Sequence, residues 1–207
     1  MLAKEKKLLL HRLEKLYPTP QSELVFSDEY QLLVAVMLSA QCTDKKVNEV
    51  TPLLFKEYSS FKALAKATVE RVETIIRPIN YCKTKAKHLV STAKTITHDL
   101  KGQLPQTHAG LTALPGVGNK TANVVLSELG IVPAFPVDTH VFRLANRLGL
   151  SQGKTPEAVE RDLKREFDSK EWRGLHHRLI FHGRRVCKAV NPHCSGCDLR
   201  SLCPVGR

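Results

Sequence analysis

The sequence predicts an all-α fold. Apolar residues recur at helical spacing along the chain, capping and turn signals punctuate those stripes, and no segment shows a convincing hairpin or strand alternation. The N-terminal stretch MLAKEKKLLLHRLEK is charged and amphipathic, and Tyr17-Pro18-Thr19-Pro20 breaks the chain after it. Leu32 to Leu38, inside YQLLVAVMLSA, is the longest apolar run. It is far too short to cross a bilayer and reads as a helix buried on all sides at the centre of the core. Ala86, Leu89, Val90, Ala93, Ile96, Thr97 and Leu100 form one apolar stripe, with Lys83, Lys85, Lys87 and Lys94 among or opposite them. Leu111 and Leu114 precede a glycine-bearing turn, and Ala122, Val125, Leu126 and Leu129 follow it. A second break, Ile131 to Pro136, leads into a helix carrying Val141, Phe142, Ala145 and Leu148 and closed by Gly149. Thr155-Pro156-Glu157 supplies an N-cap, a first-position proline and an acidic first turn ahead of Val159, Leu163 and Phe167. Leu175, Leu179, Val186 and Cys187 recur at helical spacing, which predicts that Cys187 ends a helix.

At 207 residues the chain can bury a real core, as one domain or as two small ones sharing a cleft. Neither a signal peptide nor a membrane span is legible at the N-terminus, so an intracellular protein with no membrane association is expected. The formal charge of +12 favours a polyanionic partner, because each phosphate contact releases counterions. A merely basic soluble protein has the same composition, so charge supports nucleic acid without proving it.

Four of the six cysteines, Cys187, Cys194, Cys197 and Cys203, form a C-x6-C-x2-C-x5-C array. Thiolates this close along the chain converge on one centre with little loop-closure entropy to overcome. A tetrathiolate suits an iron-sulfur cluster and zinc alike, and spacing does not choose between them. A pair of structural disulfides is the alternative, and nothing in the sequence suggests the oxidising compartment that it needs.

Leu114-Pro115-Gly116-Val117-Gly118-Asn119-Lys120-Thr121 is a tight helix-to-helix turn. Its two glycines let backbone approach a neighbour closely and expose N–H groups at a helix start, where a phosphate can bind. Such a turn positions a duplex without reading its sequence. Lys120 falls in the first turn of the second helix, where the positive end of the dipole disfavours an ammonium, and a neutral lysine is a nucleophile able to attack a sugar C1′. Phosphate binding is equally natural for a lysine beside this turn. Eighteen residues on, in Pro136-Val137-Asp138-Thr139-His140-Val141, Asp138 is placed as an N-cap. Capping is compatible with a second role, in which the carboxylate accepts the amine's proton or stabilises positive charge on the sugar.

LPGVGNKTA, VDTHV and the cysteine array, in this order and at these intervals, resemble the endonuclease III family of DNA glycosylases. The resemblance extends from LLVAVMLSAQCTD to HHRLIFHGRRVC and so covers essentially the whole chain. It implies a helix-hairpin-helix glycosylase fold of two helical domains flanking a DNA-binding cleft. Residues 22–132 would form a six-helix barrel domain with the helix-hairpin-helix at about 107–130, and residues 1–21 plus 133–207 an iron-sulfur domain. It makes Lys120 the Schiff-base nucleophile, Asp138 the catalytic carboxylate, and Cys187, Cys194, Cys197 and Cys203 the ligands of a structural [4Fe-4S] cluster, favouring iron over zinc. With that cluster bound, the formal charge stays near about +10. The hairpin residues Leu114, Gly116, Val117 and Gly118 would contact DNA, as would Arg184, Arg185 and the basic loop from Lys188 to His193. The reaction implied is excision of oxidised pyrimidines followed by a β-elimination nick, performed by a monomer on damaged double-stranded DNA in the cytoplasm, associated with the nucleoid.

The resemblance also points to Gln41 as the residue filling the hole left by an extruded base, although Gln41 reads equally as a polar helix C-terminus. Where family members commonly carry a glycine and an aliphatic wedge, this chain has Asn80 and Tyr81. A tyrosine plug can stack on a base, which predicts an altered lesion preference with the chemistry intact. Cys42 and Cys82 read as packed thiols, His176 and His177 as packing or DNA-facing groups, and Trp172 as core packing. Two rivals differ in residues. The related adenine-excising branch typically lacks the lysine and continues into another domain, and a non-catalytic or monofunctional damage-binding module would not require Lys120 and Asp138 together.

Overall fold

The computed structural model describes residues 2–131 and 134–206. Among these the secondary structure is entirely helical, with eleven α-helices and one 3₁₀ turn. The chain divides into two compact units, Ser22–Val132 and Met1–Gln21 with Pro133–Arg207. Val132 and Pro133, inside the break from Ile131 to Pro136, lie outside the described residues, as do Met1 and Arg207.

The central unit is built around α2 (Glu29–Ser39), in which every residue from Leu32 to Leu38 is buried. Asp28 starts this helix by accepting from the Gln31 N–H at 2.8 Å. Helices α3 (Asp44–Glu57), α6 (Cys82–His98) and α8 (Asn119–Leu129) pack directly against α2. The short α4 (Phe61–Leu64) and α5 (Val69–Ile75) lie against α6, and α7 (His108–Thr112) against α8. Thr43, Ser60, Thr68 and Thr107 each cap one of these helices through a side-chain oxygen, which explains where they begin.

In α6 the expected stripe of Ala86, Leu89, Val90, Ala93 and Ile96 is buried, while Thr97 is only half-buried and Leu100 lies past the helix end. Lys85, whose charge suggests a solvated position, is buried. Its Nζ donates to the carbonyls of Leu38 at 2.7 Å and Ala40 at 2.6 Å, so the stem fills core space and the amine serves the open carbonyls at the end of α2.

The second unit comprises α1 (Ala3–Leu16), α9 (Thr139–Arg147), α10 (Pro156–Glu166), α11 (Ser169–Arg185) and the 3₁₀ turn Arg200–Leu202. Its core joins Leu9 and Leu13 of α1 to Phe135, Val141, Leu144, Leu163 and Leu179, with Leu199 and Leu202 added from the cysteine-bearing segment. Thr155 caps α10 ahead of Pro156, as the sequence predicts. Trp172 packs on this core and donates its indole N–H to the Phe167 carbonyl at 2.8 Å. His176 and His177 are buried, which decides for packing. Helix α11 ends at Arg185, Val186 caps it, and Cys187 follows.

Candidate functional site

The turn between α7 and α8 is closed by the Val117 N–H donating to the Leu114 carbonyl at 3.1 Å. Pro115 and Gly116 occupy its corners, with Gly116 at φ 77°, the left-handed position that a type II turn gives to glycine. Thr92 of α6 pins the turn by donating to the Pro115 carbonyl at 2.7 Å. Leu114 and Val117 are buried and anchor the turn in the core. Gly118 caps α8 without a side chain, and an added Cβ there would meet nothing within 4 Å. The first-turn N–H groups of α8 are therefore reachable by an anion and lie at the positive end of the helix. Lys120 is exposed in that same turn.

At Gly116 a Cβ would fall 2.5 Å from His88 Nδ1 and 2.7 Å from His88 Cβ, in addition to the strain of a positive φ. Gly116→Ala is expected to cost about 1–3 kcal/mol for the backbone conformation alone, and more for the clash. Chemical denaturation measures the loss, and adding His88→Ala is expected to recover only the part due to the imidazole ring, because the Cβ that alanine keeps still lies 2.7 Å from the new one.

Gln41 and Tyr81 are both exposed, and both hold left-handed backbone conformations, at φ 54° and 59°. Non-glycine residues there cost about 1–3 kcal/mol each and persist only where the surroundings enforce them. With Met37, Thr84, His88 and Gly116 they line one cavity of about 280 Å³. Gln41, Tyr81 and the glycine turn thus share one concavity of the central unit.

In the second unit Asp138 is the N-cap of α9, its Oδ1 accepting from the Val141 N–H at 2.8 Å, and its side chain is half-buried. One turn on, Arg143 donates to the carbonyls of Gly183 and Cys187, both at 3.0 Å from Nη2. Arg147 donates to Lys188 O at 2.7 Å and Ala189 O at 3.1 Å, and lies 3.4 Å from Cys187 Sγ. Helix α9 therefore carries the Asp138 cap at one end and holds the start of the cysteine-bearing loop with its arginines.

Cys187, Cys194, Cys197 and Cys203 line a single pocket of about 30 Å³, walled by Leu144, Leu148 and Val186. Among the described residues no group of three or more His, Cys, Asp or Glu stands so as to hold a metal ion. Burial pushes the Cys197 thiol up, and the neighbouring cysteines add to this against the Leu199 N–H. His182, pushed by burial down to about 4, is neutral at pH 7 and spans Tyr17 OH at 3.2 Å and Cys197 Sγ at 3.4 Å. An all-thiol donor set around one apolar-walled pocket fits an iron-sulfur cluster. Arg184, Arg185 and Lys188 are exposed beside this loop, the Arg185 guanidinium lying over the rings of Phe181 at 5.1 Å and Tyr17 at 5.7 Å. Sequence reasoning missed Lys85, Arg143, Arg147 and His182. Only the i, i+4 spacing of Arg143 and Arg147 on one helix face gave any signal of their shared task.

Helices alone among the described residues, a glycine turn that opens one of them and four thiols around one pocket make up the architecture of a helix-hairpin-helix protein. Residues 34–169 match the HhH-GPD superfamily base excision DNA repair protein family. Endonuclease III of Synechocystis sp. is 43% identical over 193 residues, 93% of this chain and 88% of that protein. Endonuclease III of Bacillus subtilis is 42% identical over 205 residues, 99% of this chain and 94% of that protein. A solved structure of a trapped endonuclease III–DNA covalent intermediate superposes with a TM-score of 0.94 at 39% identity, covering 100% of this chain and 97% of that one. The chain belongs to the endonuclease III family.

Proposed function

We propose that this chain is a bifunctional DNA glycosylase and AP lyase that removes oxidised pyrimidines from duplex DNA, with Lys120 as nucleophile. The observation that carries this reading is an exposed lysine in the first turn of α8, directly after a backbone turn suited to a phosphate, in a chain of the endonuclease III family. With the damaged base out of the stack, the free amine of Lys120 bonds to C1′ as the bond from C1′ to the base breaks. The base leaves with the electron pair and takes up a proton. Loss of the amine's proton and opening of the sugar ring give the Schiff base, and removal of a C2′ proton expels the 3′ phosphate as the nick. Asp138 accepts the amine's proton or stabilises positive charge developing on the sugar. Gln41 and Tyr81 fill the stack. The turn from Leu114 to Gly118 and the basic residues Arg184, Arg185 and Lys188 hold the phosphate backbone.

Cys187, Cys194, Cys197 and Cys203 would hold a [4Fe-4S] cluster, which family membership favours over zinc. When bound it supplies a structural crosslink. The enzyme is read as a monomer acting on nucleoid DNA in the cytoplasm. Among the described residues no helix is long and apolar enough to cross a membrane.

The test is a duplex carrying one oxidised pyrimidine, scored for base release and for a nick 3′ to the lesion. Asparagine caps a helix as well as aspartate does. Asp138→Asn is therefore expected to keep the thermal midpoint while slowing base release by about 10²–10⁴-fold. A native chain that binds the duplex and releases no base would overturn the assignment.

A further inference from the structure

Helix α2 ends at Ser39 with carbonyls that have no partner inside the helix, and the turn beyond it carries Gln41. Three of the carbonyls around that turn accept from one short segment of chain. Asn80 Nδ2 donates to the Gln41 carbonyl at 2.7 Å, and Lys85 Nζ donates to those of Leu38 and Ala40. Tyr81, the N-cap residue of α6, lies between the two donors in sequence. The same few contacts therefore tie together the two non-glycine residues of positive φ that, among the described residues, line the cavity beside Gly116.

We propose that Asn80 and Lys85 are positioning residues, forming a clasp that holds Gln41 and Tyr81 in one rigid arrangement before DNA arrives. This rests on the stack-filling roles proposed for Gln41 and Tyr81. A pair already fixed in its working geometry loses little conformational freedom when it enters the duplex, so the clasp accelerates base extrusion. Affinity is governed by phosphate contacts elsewhere and is left alone.

The experiment follows 2-aminopurine fluorescence beside a lesion under single-turnover conditions, together with base release. Asn80→Ala, at an exposed position, is expected to retain the native melting midpoint and KM and to slow extrusion about three- to tenfold, as loss of one hydrogen bond allows. In a background carrying both Gln41→Ala and Tyr81→Ala, Asn80→Ala is expected to add nothing, because its effect runs through those two side chains. Lys85→Met is not the deciding variant, since it strands two carbonyls. Slow extrusion by Gln41→Ala and Tyr81→Ala with normal extrusion by Asn80→Ala would overturn the clasp and leave the stack-filling reading standing. Normal extrusion by Gln41→Ala and Tyr81→Ala would overturn both.

Discussion

Lys120→Ala is expected to give no borohydride-trapped adduct on duplexes bearing an abasic site or thymine glycol, where the native chain gives one. Reduction converts a Schiff base into a stable amine, so the adduct reports the covalent bond and not binding. Lys120 is exposed in the first turn of α8, and replacing an exposed helical lysine by alanine normally changes stability by no more than about 0.5 kcal/mol. The variant therefore keeps its fold and the backbone turn that precedes it, and duplex binding is expected to weaken only by the loss of one cation. Base release is expected to fall by at least about 10²-fold, because no other group on α8 can supply the attacking amine. An adduct that survives in Lys120→Ala would move the nucleophile to another amine. Loss of the adduct together with loss of salt-sensitive binding would instead assign Lys120 to phosphate, the reading that local sequence leaves equally open.

Those features were legible in the sequence because they are local. A proline–glycine turn ahead of a helix, an aspartate at a helix mouth and a threonine–proline start to α10 each rest on the chemistry of a few adjacent residues, and the structure forms all three. What periodicity could not show depends on tertiary contact. Lys85 belongs by its charge to a solvated face, yet the end of α2 needs donors, and a long apolar stem makes burial tolerable. The left-handed conformations of Gln41 and Tyr81 carry no glycine to announce them. Arg143 and Arg147 read as the polar side of an amphipathic helix, and only the fold brings them against the carbonyls that follow Cys187. The convergence of the four cysteines on one pocket was legible from their spacing. Its neutral histidine partner, His182, was not, since Tyr17 lies at the far end of the chain.

Cys197→Ala is expected to remove the yellow-brown colour and lower bound iron from about four per chain to near zero. It is also expected to lower the melting midpoint by roughly 10 °C. Between Cys187 and Arg200 the chain forms no helix, and its carbonyls are held by arginines from α9 and by Arg12 of α1, which donates to Asp198 O at 2.7 Å. Leu199 and Leu202 nevertheless reach the core of this unit, so a segment with little regular structure must be fixed in place. A group bound by the folded state and not by the unfolded chain stabilises folding by mass action, and four thiols spread along seventeen residues would, as its ligands, convert that binding into a fixed path for the loop. Without it, Leu199 and Leu202 lose their anchor, and protease cleavage between 188 and 199 is expected to accelerate ahead of global unfolding. An alanine variant with unchanged iron and an unchanged midpoint would exclude Cys197 as a ligand. Stoichiometric zinc without iron in anaerobically prepared native protein would replace the cluster with a single-ion site while leaving the four thiols as its ligands.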